Sequence, residues 1–220
     1  MAWLTTKGFN LRASLGFVTD GTNQKFHDNA PYPVTNMIGG DSVTYGWSDP
    51  NATTEVFPRD RDAGIDVRLA GCCFVNVAGD VEHYFRIDLP ATGQYKIRLA
   101  LGDASFDHND YWCDVRDNGS VLFNVGGGTV DLVAAHFLDA NGTDLTAAAW
   151  PGSNAQRTIT MTSTILQVVL RTVAGVFQGF LAHVEVEQVS GPLPTVNDAP
   201  TVTEDVKMHM PISLKMVKLS

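Results

Sequence analysis

The sequence is poor in almost everything that would make it helical, membrane-spanning, disulfide-bonded or polyanion-binding. No stretch of ten or more residues repeats an apolar side chain every three or four positions, so no amphipathic helix is predicted. No run approaches the roughly 18 apolar residues that a bilayer crossing requires. The opening MAWLTTKGFNLRASLGF also has no apolar core of a signal peptide, so synthesis and folding in a cytoplasm are expected. Of three cysteines, Cys72 and Cys73 are adjacent and Cys113 stands alone, an odd set that builds neither a disulfide framework nor paired zinc knuckles. Buried thiols are the expectation. The six histidines include no close pair, which argues against a zinc site. Lys and Arg total 15 against 24 Asp and Glu, and the net charge of −9 opposes association with nucleic acid.

What the chain does have is alternation. In 81–104, VEHYFRIDLPATGQYKIRLALGDA, residues Val81, His83, Phe85, Ile87 and Leu89 share one face of an extended segment, and Tyr95, Ile97, Leu99 and Leu101 share one face of the next. Pro90 to Gly93 between them supplies turn residues, so the pattern predicts an antiparallel hairpin. Further strands are predicted at Gly8–Arg12, Ser42–Trp47, Ile65–Gly71, Tyr111–Arg116, 120–125, Val133–Leu138, Arg157–Met161, Ile165–Arg171 and Phe180–Val189. Asp117-Asn118-Gly119 reads as a tight turn. Residues 20–42 read as a long loop plugged by Phe26, Tyr32 and Met37, residues 48–64 as irregular, and 145–150 as a short helical turn within a loop. The charges of Arg59, Asp60, Arg61 and Asp62 are expected to pair among themselves. Many short strands between Gly, Asn and Asp turns imply an all-β antiparallel sandwich or jelly roll over 1–189.

At Ser190-Gly191-Pro192 the composition shifts. Residues 190–200 read as a linker and 201–220 as an extended arm, too apolar for free solvation. Met208, Met210, Ile212, Leu214, Met216 and Leu219 are its candidate docking anchors, and the alternation from Met208 to Leu214 suits addition to a partner's sheet or to another copy of the chain, with packing back on its own sandwich as the alternative. A sugar ring has an apolar C–H face and a rim of hydroxyls, so a glycan site needs an aromatic platform beside hydrogen-bonding groups. Trp47, Tyr111 and Trp150 are candidate platforms, with Asp103, Asp107 and Asn109 as rim partners, whereas Trp112 is expected in the core. Asp103, Asp107 and Asp110, or Asp139, Asn141 and Asp144, could offer oxygens to a hard cation.

One ordered set of short motifs carries a family resemblance. Tyr45-Gly46-Trp47, Arg59-Asp60-Arg61-Asp62, Asp66 to Gly71, Phe85-Arg86-Ile87-Asp88-Leu89-Pro90 and Leu99 to Ala104 occur in the order seen in galactose-binding-like β-sandwich modules, over roughly residues 8–188. Such modules resemble both carbohydrate-binding modules of polysaccharide-degrading enzymes and stand-alone structural proteins of tailed bacteriophages. The resemblance implies a non-enzymatic virion decoration protein that docks on capsid or tail neighbours, possesses a host-glycan face and carries a structural calcium. A lectin-like carbohydrate-binding module is the alternative. A third reading comes from Gly40-Asp41-Ser42, which resembles the nucleophile block of SGNH esterases, with Asp80-Val81-Glu82-His83 resembling their Asp-x-x-His. Those hydrolases are α/β proteins, and the crossover helices they need are not predicted here.

Overall fold

The computed structural model describes residues 2–13, 23–61, 66–75, 79–108, 111–128, 130–151, 155–172 and 179–189. The predicted linker and arm, with the anchors from Met208 to Leu219, lie outside the described residues. In chain order the strands are β1 (Lys7–Leu11), β2 (Gln24–His27), β3 (Val34–Ile38), β4 (Asp41–Trp47), β5 (Val56–Asp60), β6 (Gly71–Val75), β7 (Val81–Asp88) and β8 (Gly93–Asp103). They continue as β9 (Cys113–Asp117), β10 (Ser120–Val125), β11 (His136–Leu138), β12 (Asp144–Thr146), β13 (Gln156–Met161), β14 (Ile165–Thr172), β15 (Gly179–Leu181) and β16 (His183–Gln188). A single helical turn, α1 (Ala52–Glu55), interrupts them. No described helix is long and apolar enough to cross a membrane.

Two large sheets face each other. One runs β12-β11-β8-β16-β1-β2 with β13 also on β8, the other β10-β9-β14-β7-β4-β3, and a small third sheet of β15-β6-β5 closes one side. Among the described strand pairs, β1–β2 is parallel and the rest are antiparallel. The fold is therefore the expected all-β sandwich. Its core is made by the alternating faces: Phe85 and Ile87 from β7 meet Tyr95, Ile97 and Leu99 from β8 and Phe9 and Leu11 from β1, all without solvent exposure. Each such side chain contributes about 1.5–3 kcal/mol on burial. The three cysteines are free and buried, as expected.

The central pair departs from its expectation. β7 and β8 do not pair with each other: β7 lies between β14 and β4, and β8 between β16 and its β13 and β11 partners in the opposite sheet. Residues 89–92 are a corner between sheets, where the Leu89 N–H donates to Thr164 O. Alternation specifies which side chains face the core, and two apolar faces meet equally well across a sandwich or along a ladder. The tight turn at Asn118 and Gly119 does join a true hairpin, β9–β10, and both residues have positive φ.

Several other readings are also corrected. Residues 20–42 contain the edge strands β2 and β3, which need a partner on one side only and so show weak alternation. Residues 48–64 contain α1 and β5. Asp66 to Leu69 is a turn rather than a strand, because Asp66 Oδ1 accepts the Arg68 N–H (3.0 Å) and Asp66 O accepts the Leu69 N–H (2.8 Å), so β6 starts only at Gly71. The region 145–150 does hold a single helical turn, in which Trp150 N–H donates to Thr146 O, but it follows directly on the short strand β12. The charges at 59–61 do not pair among themselves: Asp60 accepts from Arg12 (2.8 Å), Arg61 binds Asp103, and Arg59 lies over Phe74. Asp62 lies outside the described residues. Met37 is exposed rather than a plug.

Candidate functional site

At one end of the sandwich four chain segments meet: the N-terminal stretch before β1, the β3–β4 turn, the β7–β8 corner and the end of β16. They form a cleft of about 370 Å³ lined by Ala2, Trp3, Asp41, Ser42, Thr44, Asp88, Leu89 and Pro90. Trp3 is half-buried. Its backbone N–H donates to Gln188 Oε1 (2.9 Å) and its ring packs edge-on against Tyr95, 6.3 Å between centroids. Gly39 and Gly40, both at positive φ, turn the chain from β3 into β4 and bring Asp41 back under the N-terminal stretch.

The floor is held by Lys7, which is fully buried on β1. Its ammonium donates to Thr5 Oγ1 (2.9 Å), Ile38 O (2.8 Å) and Asp41 Oδ2 (2.6 Å), and sits 5.7 Å from the centre of the Trp3 ring. Asp41 Oδ2 also accepts the Leu4 N–H at 3.0 Å. The Lys7 hydrogen bond holds the Asp41 carboxyl below the usual carboxylate range against an opposing push from burial. On the other wall, Asp88 accepts from Arg86 Nε (2.7 Å) and from the Tyr32 hydroxyl (2.8 Å), while the Arg86 guanidinium stacks 4.3 Å over the Tyr32 ring. Hydrogen bonding to Asp88 raises the Tyr32 phenol above its ordinary pKa. Asp88, Thr44 and Ser42 project from the outer face of the six-stranded sheet because Ile87, Tyr45 and Val43 take the inward positions.

The sequence-predicted platforms do not form a site. Trp47, Tyr111 and Trp150 are 1%, 0% and 4% exposed, so none offers a ring face to a ligand. Trp47 packs on Phe85 (5.4 Å) and donates to Asp28 O (2.9 Å), and Trp150 donates to Leu99 O (3.1 Å) beneath Arg68. A position near a loop end is what singles them out in the sequence, and in this fold the loops fold back and use these rings as plugs. Trp112 shows the converse: it is half-buried on the outer sheet face, donates to Asp114 Oδ1 (2.9 Å) and carries Arg171 4.6 Å above its ring.

Among the described residues, the oxygens expected to hold calcium are largely engaged elsewhere. Asp103 is buried and bound by Arg61 through both oxygens (2.8 and 2.7 Å), and it also accepts the Ser105 N–H (2.8 Å). Burial alone would raise its pKa, yet the hydrogen bonds from His108, Arg61 and Ser105 outweigh this and hold it well below the usual range. Asp107 accepts the Ala134 N–H, and Asn109 and Asp110 lie outside the described residues. Asp139 Oδ1 is taken by the N–H groups of Asn141 and Thr143, and Asp144 faces His136. Among the described residues no group of three or more His, Cys, Asp or Glu could hold a metal ion.

The esterase reading is overturned by register. Tyr45 lies opposite Ile87 in the antiparallel β4–β7 ladder, so Ser42, three residues one way, and His83, four residues the other, are seven steps apart. That is about 23 Å along the sheet at roughly 3.3 Å per step. His83 is buried, with Nδ1 2.8 Å from Asp49 and Nε2 3.2 Å from Glu55, and it clamps α1 to β7. Of the cleft residues, Asp41 and Ser42 stand out in the sequence for another chemistry, and Asp88 only as part of a family motif. Trp3 lies in a leader with no pattern of its own, and Asp88 becomes a wall only because the β7–β8 segment is a corner.

No protein-family profile matches the sequence, and no curated protein matches it either. Among solved structures the chain is similar to the Bacillus subtilis protein YxiM, at 15% identity and a TM-score of 0.46. The match covers 86% of this chain and 42% of that protein's length. It is also similar to family 35 carbohydrate-binding modules from Clostridium thermocellum (14% identity, TM-score 0.36, 71% of this chain and 98% of the module) and Paenibacillus barcinonensis (12%, 0.35, 66% and 91%).

Proposed function

We propose that this chain is a glycan-binding β-sandwich module and that its sugar site is the cleft between Trp3, Asp41 and Asp88. The observation that carries the reading is the convergence in one cleft of an indole, two carboxylates and the hydroxyls of Ser42 and Thr44. An indole packs against the C–H face of a sugar ring, and carboxylates and hydroxyls accept from its hydroxyl rim. The volume suits one or two rings rather than a buried cofactor. The test is calorimetric titration of a panel of soluble oligosaccharides into wild type and Trp3→Ala. Saturable binding that weakens at least about tenfold in the variant, with an unchanged melting temperature, supports the reading. Binding that is indifferent to Trp3 removes this cleft as the site.

A second role rests on the arm: attachment to a neighbouring protein of a larger assembly, such as a virion, or to another copy of the chain. It is favoured by the apolar alternation from Met208 to Leu214, and by the course of the chain at Val189, whose N–H donates to Gln94 O beside the cleft. Deleting residues 190–220 is expected to convert an assembled protein into a monomer in light scattering. A full-length chain that is already monomeric, and that enters no particle, rules the role out.

A further inference from the structure

The walls of the cleft also specify which glycans it can accept. A ligand carrying a carboxylate or sulfate is best held by a cationic donor with an N–H to spare, and the described lining of the cleft presents none. The Lys7 ammonium has three N–H donors. Thr5 Oγ1, Ile38 O and Asp41 Oδ2 take all three, and the side chain has no solvent exposure from which to turn. Arg86 donates from Nε to Asp88 and stacks on the Tyr32 ring, and no Lys, Arg or His is among the residues that line the cleft. What faces the cleft is therefore acceptor-rich. An ionised carboxylate has about four lone-pair sites. Asp41 uses two, both on Oδ2, and Asp88 uses one on each oxygen. The Ser42 hydroxyl is exposed, and Thr44 shares its hydroxyl with Thr35 at 3.0 Å.

We infer that the cleft selects neutral, hydroxyl-rich glycans, whose adjacent hydroxyls donate to the spare lone pairs of Asp88 and Asp41, and that it rejects glycans bearing uronate, sialate or sulfate groups. Each carboxylate is paired with its own buried or stacked cation, and the described lining of the cleft offers acceptors but no cationic side chain. An anionic sugar meets two fixed carboxylates in a partly desolvated cleft, on a chain of net charge −9, and gains no charge-assisted hydrogen bond in return. A neutral sugar exchanges hydrogen bonds to water for hydrogen bonds to these acceptors, with no charge to desolvate. The inference rests on the glycan-binding reading above and sharpens it.

The experiment titrates neutral oligosaccharides and uronate-containing oligosaccharides of matched length into wild type, Trp3→Ala and Asp88→Asn, at low and high salt. The expected result is binding of the neutral set, insensitivity of that affinity to salt, and uronate binding at least about tenfold weaker. Asp88→Asn, which replaces an acceptor oxygen with a donor NH₂, is expected to lower neutral-glycan affinity and narrow the gap between the two sets. Ser42→Ala, an exposed substitution, serves as the variant least able to disturb folding and is expected to weaken neutral binding severalfold. Uronates binding as tightly as neutral glycans, with both lost in Trp3→Ala, would overturn the selectivity and leave the glycan site standing. Absence of binding by either set overturns the glycan reading itself.

Discussion

His27 is a neutral imidazole held in an apolar slot, its ring 5.1 Å from Tyr45 and 5.4 Å from Phe85, with Nε2 donating to Ala30 O at 3.2 Å. Burial pushes its pKa down to about 4, against weaker opposing effects from Asp28 and the Ala30 carbonyl. Because the folded pKa lies below the unfolded value near 6.5, the unfolded chain binds the extra proton between the two, and stability rises with pH across that window. The contribution, about 3 kcal/mol in all, is complete above about pH 6.5 and is lost as pH falls toward 4. His183, also buried, is shifted in the same direction by burial and adds to the effect. Urea midpoints measured from pH 7 to 4 should therefore fall steeply in wild type, and His27→Phe, which keeps the ring and removes the proton site, should flatten that fall. An unchanged slope would mean that other groups control the acid limb. Nothing in the sequence marks His27 as buried, since it sits among Asp28, Asn29 and Pro31, residues that read as loop; its burial comes from β2 pairing with β1. The buried thiols of Cys72, Cys73 and Cys113, by contrast, are legible from their number and spacing.

Among the elements, β4 shows how a strand can both serve the core and shape the cleft. Its inward residues Val43, Tyr45 and Trp47 are core, and Gly46 between them has φ +134°. The backbone of Tyr32 presses on the outer side of Gly46 so closely that a Cβ there would stand 3.0 Å from Tyr32 Cα and N. Tyr32 N–H in turn donates to Trp47 O at 2.8 Å, which fixes the segment that aims the phenol at Asp88. Gly46→Ala should destabilise the fold by about 1–3 kcal/mol through the disfavoured φ and the close contact. It should also weaken glycan binding, because Tyr32 must retreat from the cleft wall. Tyr32→Phe is the control: it removes the hydroxyl from Asp88 without the backbone clash, so a lowered melting temperature in Gly46→Ala alone isolates the strain. Strands such as β4, β13, β14 and the β9–β10 hairpin are legible because alternation and a positive-φ Asn-Gly turn are local signals. Which strands β7 and β8 pair with is not, because a strand's periodicity carries its buried face and not its sheet.

At the scale of the whole molecule, the position of the site follows from the way the sandwich is closed. The β7–β8 segment turns a corner between sheets, so its Asp88–Pro90 end lies at the rim of the core and not along a single sheet. The N-terminal stretch crosses that rim, tied by Trp3 N–H to Gln188 on β16 and by Leu4 N–H and Thr5 Oγ1 to Asp41 and Gly39 at the β3–β4 turn. A second, smaller cleft of about 200 Å³ lies on the other side of the same stretch, between Trp3, Thr6 and Glu187. Both depend on residues 2–6, which add no strand to either sheet. Site and scaffold are therefore separable, and truncation at the two ends should have opposite effects. Removing residues 1–4 takes away the indole wall and the Leu4 bond to Asp41 while leaving β1, Lys7 and the sheets in place. Glycan binding should be lost, with a melting temperature only slightly reduced. Removing residues 190–220 leaves every described strand and the whole cleft intact, so glycan affinity should match that of the full chain. If the N-terminal truncation kept its affinity, the cleft would not be the glycan site.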